Sequence, residues 1–279
     1  MKSLEQLSAQ RAVLWLDYVD YAGRLLADGE VPWLDVGGYL AWQRQAQSLL
    51  RSDVLMLPVG AVCGAWLAAH PQLRDAMASK SRTMFPLKTL LADPGLRAHL
   101  TELVTGLRGS FADLPLALAC PSPRAWVADA YAQAHGADAE AEVGEDEIDS
   151  AAVLLADFMR QFGESGIDVL LLQETADREP DTLADVELYQ PVLNIATHYR
   201  WEVGLYAPGG RYPGGTAGLG FVIAPQALPG ARAGRLIAPD YWTGAAPAEA
   251  LDAGLSFSRI DPAAAPETVL ERLAQLRPA

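Results

Sequence analysis

Seven residues have the chemistry and the setting to work on a substrate. Glu174 follows the run Gly166-Ile167-Asp168-Val169-Leu170-Leu171-Leu172-Gln173, so a carboxylate stands at the end of an apolar segment entered from a glycine. Ser122 and Arg124 sit in Cys120-Pro121-Ser122-Pro123-Arg124, which ends a second apolar run, Leu114 to Ala119. Tyr206 closes the alternating segment 200–206, and the glycine-rich loop after it carries Arg211 and Tyr212. Arg259 lies near the end of 255–261. In a dry site Glu174 could act as a general acid or base with a raised pKa. Arg124 and Arg211 could grip an anionic group bidentately, with Ser122 and Arg259 as further substrate contacts. Tyr206 or Tyr212 could donate a hydrogen bond to developing negative charge. The plainer alternatives are that Glu174 is a capping or ion-paired structural acid and that Arg259 pairs with the nearby Asp261.

These positions need elements to hold them. The run ending at Glu174 is short and apolar on both faces, which reads as a buried parallel strand. In α/β proteins ligands bind beyond the carboxyl ends of such strands. Segments 53–60, 114–120, 200–206, 217–223, 235–238 and 255–261 read as further strands, making seven. The eighth is sought within 76–86. Helices are expected over 3–29, 36–51, 94–108, 124–135 and 181–197, the last interrupted near Pro191. Ile148, Ala152, Leu155, Met159 and Phe162 recur at spacings of three and four, so a helix precedes Gly163. A final helix starts at Pro266, with Val269, Leu270, Leu273 and Leu276 on its buried face.

Repeated β–α units imply parallel strands with right-handed crossovers. Such units within 279 residues fit a TIM (β/α)8 barrel, partly degenerate from about residue 200 onward, with an N-terminal helical extension or lid over 1–52 and the barrel domain over 53–279. An open doubly wound sheet is the other arrangement considered.

The net charge of −14 argues against nucleic-acid and anionic-membrane partners, which require basic surface. It is compatible with a small anionic substrate held by a few arginines. Two cysteines, Cys63 and Cys120, are too few for a disulfide framework and read as buried core thiols. With no apolar stretch of signal-peptide or membrane-span length, a cytoplasmic location is expected. The oligomeric state stays open, a homodimer among the options. The seven acids within 137–149 read as a solvated loop and helix start. The loop 207–216 has neither the lysine of a P-loop nor the spacing of a dinucleotide fingerprint.

Several of these segments resemble the uroporphyrinogen decarboxylase and cobalamin-independent methionine synthase (UROD/MetE-like) superfamily. The carriers are Phe257-Ser258-Arg259-Ile260-Asp261 with Pro266 to Leu273, Leu116 to Pro123, and Asp168 to Glu174. The resemblance implies a TIM barrel. Its methyltransferase branch binds zinc through a His-x-Cys pair and a distant cysteine. None of the four histidines here has a cysteine two residues on. The resemblance therefore favours the decarboxylase branch, which uses no metal or organic cofactor, with acid/base chemistry on a small or ring-shaped organic acid. The alternatives are a methyltransferase of the same superfamily with an atypical metal site, zinc held by Glu174, His198 and Cys120, and a non-catalytic ligand-binding barrel.

Overall fold

The computed structural model describes residues 3–176, 186–209, 218–226, 232–246, 251 and 253–277. Eight parallel strands curl into a nearly closed barrel. They are β1 (Ala12–Asp17), β2 (Leu55–Pro58), β3 (Leu116–Pro121), β4 (Val169–Gln173), β5 (Glu202–Tyr206), β6 (Phe221–Ala224), β7 (Ala233–Ile237) and β8 (Gly254–Arg259). Neighbouring strands follow chain order from β2 to β8, and β1 closes onto β8 with Val13 opposite Leu255 and Asp17 opposite Arg259.

The one break in the hydrogen-bonded ring lies between β1 and β2. Short polar residues ahead of β2 span it. Asp53 donates its backbone N–H to the Leu14 carbonyl (2.9 Å) and accepts the Leu14 N–H on Oδ2 (2.8 Å). Ser52 Oγ accepts the Leu16 N–H at 3.0 Å. Two buried amides that a ladder would serve are thus satisfied by side chains, as burial requires.

Alternation along each strand separates two cores. Val13, Trp15, Ala117, Ala119, Val169, Leu171, Tyr206, Phe221 and Phe257 fill the barrel interior. Leu14, Leu16, Leu118, Leu170, Leu172 and Leu205 face the surrounding helices. Burial on both faces stabilises by about 2 kcal/mol per leucine relative to exposure. It also explains the uninterrupted apolar runs, since neither face meets water.

The helices are α1 (Leu4–Gln10), α2 (Val19–Ala27), α3 (Val36–Leu50), α4 (Val59–Ala69), α5 (Pro71–Ala78), α6 (Phe85–Leu91), α7 (Pro94–Ser110), α8 (Pro123–His135), α9 (Glu145–Met159), α10 (Gln190–Tyr199) and α11 (Pro266–Leu276). Helix α1 opens with a capping box between Ser3 and Gln6. It closes the N-terminal end of the barrel: Leu4 belongs to the interior cluster, Glu202 Oε2 accepts the Glu5 N–H at 3.1 Å, and Arg232 bridges Glu202 and Ser8.

The seven strands expected from sequence are all present, and the thinning of the C-terminal half is real. Among the described residues, β5 to β8 are joined without an α-helix, the only helical turn there being a 3-10 segment, Pro239–Thr243.

Some expectations at the N-terminal side need correction. The stretch 3–29 is not one helix: Ala12–Asp17 is the first barrel strand. Its apolar residues are buried on both sides, so no strand period shows, and the aromatic and leucine content fits a broad helical face equally well. In consequence α2 and α3 are crossovers between β1 and β2, and only α1 precedes the barrel. The eighth strand sought in 76–86 is this one; 76–86 holds the end of α5, a turn and the start of α6. The interruption expected near Pro191 is present: Val186 and Glu187 are helical, Leu188 and Tyr189 form a turn, and α10 starts afresh at Gln190 with Pro191 in its first turn, where the missing N–H has no intrahelical partner to lose.

Candidate active site at the barrel mouth

Strand parity decides which side chains reach the mouth. Residues 13 and 15 of β1 point inward, so Asp17 does too; residues 255 and 257 of β8 bring Arg259 beside it. Arg259 Nε donates to Asp17 Oδ2 at 2.8 Å. The side chain of Asp17 is 9% exposed and that of Arg259 46%. The acid is therefore seated in the barrel wall while the guanidinium reaches out of it. Within the described residues, the two terminal nitrogens of Arg259 make no hydrogen bond. The Asp17 carboxylate is the main influence holding this guanidinium protonated, and Asp20 and the Tyr206 phenol act in the same sense.

Tyr206 stands at the end of β5 on the interior face, 9% exposed, with its ring 5.2 Å from that of Phe257. Below it Trp15 packs against Phe257 and Phe221 at 5.7 and 6.2 Å. The interior is filled at this level, which leaves an aromatic floor beneath the mouth. Gln173, at the end of β4, is half-buried beside Tyr206 in the strand register.

Two residues before Tyr206 on the same face, β5 carries Gly204. A Cβ at Gly204 would lie 2.2 Å from Cζ of the Phe221 ring. The absent side chain gives Phe221 its place in the interior.

Glu174 is held elsewhere. Its backbone N–H donates to the Tyr206 carbonyl at 2.9 Å, which extends the β4–β5 ladder by one position. It therefore keeps the parity of Leu170 and Leu172, both in the helix-facing core. Its Oε1 accepts the phenol of Tyr189, a fully buried residue of that same core, at 2.7 Å, and Glu174 is itself 2% exposed. Burial, and then the Glu174 carboxylate, push the Tyr189 phenol well above its ordinary pKa, so it stays a donor.

Ser122 and Arg124 belong to the same neighbourhood as Tyr189. Ser122 is buried and caps α8, accepting the Ala125 N–H at 3.1 Å, and Pro123 fills the first helical position. Arg124 Nη1 donates to the Val143 carbonyl at 3.3 Å. The structure thus gathers three of the expected site residues, Glu174, Ser122 and Arg124, around Tyr189 behind the strands. It places two others, Tyr206 and Arg259, at the mouth. Arg211 and Tyr212 lie outside the described residues.

Arg259 pairs with Asp17 across the β1–β8 ladder and not with Asp261, whose Oδ1 accepts the Ala263 N–H at 2.7 Å. Cys120 is a fully buried core thiol, as is Cys63 on α4, and burial raises the pKa of both. Among the described residues, no group of three or more His, Cys, Asp or Glu side chains is arranged to hold a metal, so Glu174, His198 and Cys120 are not brought together for one. No described helix is long and apolar enough to cross a membrane.

Asp17 is the residue that sequence reasoning missed. Its signal was present: an acid closing the apolar run Val13-Leu14-Trp15-Leu16, the same grammar as the run before Glu174. Reading 3–29 as continuous helix concealed it. No family model matches the chain, and no curated protein is significantly similar to it.

Proposed function

We propose that this chain is a barrel enzyme of the UROD/MetE-like type that acts by acid/base chemistry, in the manner of a decarboxylase or lyase, on a small organic acid bound at the strand mouth. One observation carries the reading: an arginine fixed through Nε by a buried aspartate, its side chain 46% exposed and its two terminal nitrogens without a hydrogen bond among the described residues. A guanidinium held in this way presents two parallel donors to a carboxylate, and the aspartate has already met much of the cost of ordering it.

In this reading Arg259 grips the substrate carboxylate. Tyr206, close enough to sense the charge of Arg259, donates a hydrogen bond to the negative charge that develops on the neighbouring atoms. Asp17 positions Arg259 and touches no reacting atom. Phe257 and Trp15 beneath supply an apolar floor suited to a flat or ring-shaped body. Glu174 supports the site from behind, fixing β4 against β5 through its amide and tying Tyr189 to the sheet. The chemistry uses no metal or organic cofactor. Zinc analysis of the purified protein tests that part, and stoichiometric zinc that vanishes in Cys120→Ala would overturn it.

The main test is a panel of small mono- and dicarboxylic acids, flat and aliphatic, screened by thermal shift and followed for turnover. Ligands that stabilise the wild type should lose about tenfold or more in affinity in Arg259→Gln, since one charge-assisted bidentate contact is removed. Tyr206→Phe should lower turnover more than binding. Carboxylates that bind equally well to Arg259→Gln would sink the reading.

A further inference from the structure

The opposite end of the barrel holds a second basic site. Asp53, which spans the β1–β2 seam, binds Arg11 Nη1 on Oδ1 at 3.0 Å and Arg277 Nη2 on Oδ2 at 3.1 Å. These groups border a cavity of about 660 Å³ whose rim also includes Arg51 and Gln47. Three arginines thus line the cavity with a single carboxylate, which is already shared between two of them and the Leu14 amide. Among the described lining residues the arginines outnumber the acid by two, in a concavity of a protein whose net charge is −14.

Arg51 is the most telling member. It makes no side-chain hydrogen bond or ion pair among the described residues, and it is exposed. Its backbone is left-handed, φ 50°, at the end of α3, a conformation that glycine or asparagine would adopt at lower cost. The other wall of the cavity is apolar: Leu114, Leu251 and Leu276. An anionic head against the arginines with an apolar body against the leucines fits both walls.

We propose that this cavity binds a phosphomonoester carrying an apolar group, at a site separate from the barrel mouth. Arg51 and Arg277 take the phosphate oxygens, Arg11 adds charge from the far side of Asp53, and Gln47 offers an amide. The arginines suit phosphate because their paired donors match two of its oxygens at once. The proposal does not depend on the reaction proposed for the mouth, and its test reads binding alone.

The full-length protein is titrated with inorganic phosphate and with phenyl phosphate at constant ionic strength, by calorimetry. Saturable binding is expected, tighter for phenyl phosphate because of the leucine wall. Arg51→Asn keeps a residue that tolerates the left-handed backbone and should weaken binding about fivefold or more, as loss of one charge-assisted contact predicts. Arg277→Gln should do the same, and Arg259→Gln at the mouth should leave the titration unchanged. If Arg277→Gln proves unstable, Arg51→Asn decides alone, because its side chain supports no other contact. The proposal is overturned by absence of saturable binding up to about 10 mM ligand, by equal affinity for the two ligands, by binding that survives Arg51→Asn, or by binding lost with Arg259→Gln.

Discussion

Gly204→Ala tests the barrel interior and the mouth together. The new methyl would lie 2.2, 2.3 and 2.9 Å from Cζ, Cε2 and Cε1 of Phe221. Phe221 is fully buried, with Trp15 on one side and the Arg232 guanidinium 5.4 Å from its ring centre, so it has nowhere to retreat. Overpacking of this kind costs about 1–3 kcal/mol, and three contacts this close put it at the upper end. The smaller entropy of an unfolded alanine returns about 0.5–1 kcal/mol. The net loss is then about 2 kcal/mol, or roughly 0.7 M in the urea midpoint for a slope near 3 kcal/mol/M. A rescue follows from the identity of the clashing atoms. All three are ring atoms that leucine lacks, so Phe221→Leu, itself costing about 1–2 kcal/mol, should accept the new methyl. The double variant should be more stable than the sum of the singles by about 1.5 kcal/mol or more. An unchanged midpoint for Gly204→Ala would refute the packing argument, and strict additivity would show that Phe221 is not the obstacle. Tyr206 lies two residues on along the same face, so ligand affinity at the mouth should fall with stability in the single variant and recover with it in the double.

Three further outcomes follow from the geometry. Asp53→Ala leaves the Leu14 amide without its acceptor and removes the acid between two partly exposed arginines; it should cost about 2–4 kcal/mol, most of it from the amide, whereas Asp53→Asn, which keeps an acceptor, should cost about 1 kcal/mol or less in the same urea titration. Asp17→Asn should raise the KM for a carboxylate substrate more than it lowers kcat, because it loosens Arg259 without touching reacting atoms; an unchanged KM would remove Asp17 from the site. Burial pushes the Cys63 thiol from 9.0 up to about 12. The unfolded chain therefore loses this proton first, and the stability that the group contributes is full below about pH 9 and falls as pH rises toward 12, by up to about 1.4 kcal/mol per pH unit. Cys63→Ala should flatten that alkaline slope, and iodoacetamide should label neither thiol in the native protein at neutral pH.

How much of this was legible in sequence depended on whether neighbours were needed to decide it. The strands after residue 50 were readable because proline, glycine or a polar pair punctuates each apolar run, as Pro58, Pro121-Ser122 and Gln173-Glu174 do. Strand β1 lacks such punctuation: Arg11 and Tyr18 flank it, and Val19 continues directly into α2. Glu174 was correctly placed at a strand end, yet which way it faces rests on a single residue of parity. Gln173 points into the barrel and Glu174 out of it, so an acid at a strand tip names the right end of the sheet without naming the right side. The Asp17–Arg259 pair could not be read at all, since its members are brought together only by the β1–β8 ladder that closes the ring.

That same ladder sets a timetable for the nascent chain. Each strand from β3 to β8 can pair with the one made just before it, but among the described strands β1 has only β8 as a ladder partner. About 240 residues separate Asp17 from Gly254, so at a synthesis rate of about 5–20 residues per second β1 waits for roughly 10–50 s after it leaves the ribosome. Throughout that time Val13, Leu14, Trp15 and Leu16, all destined for full burial, have no strand to lie against. A chaperone that engages this protein during translation would find its binding segment there, and charge introduced at Leu14 would be felt first as a loss of yield.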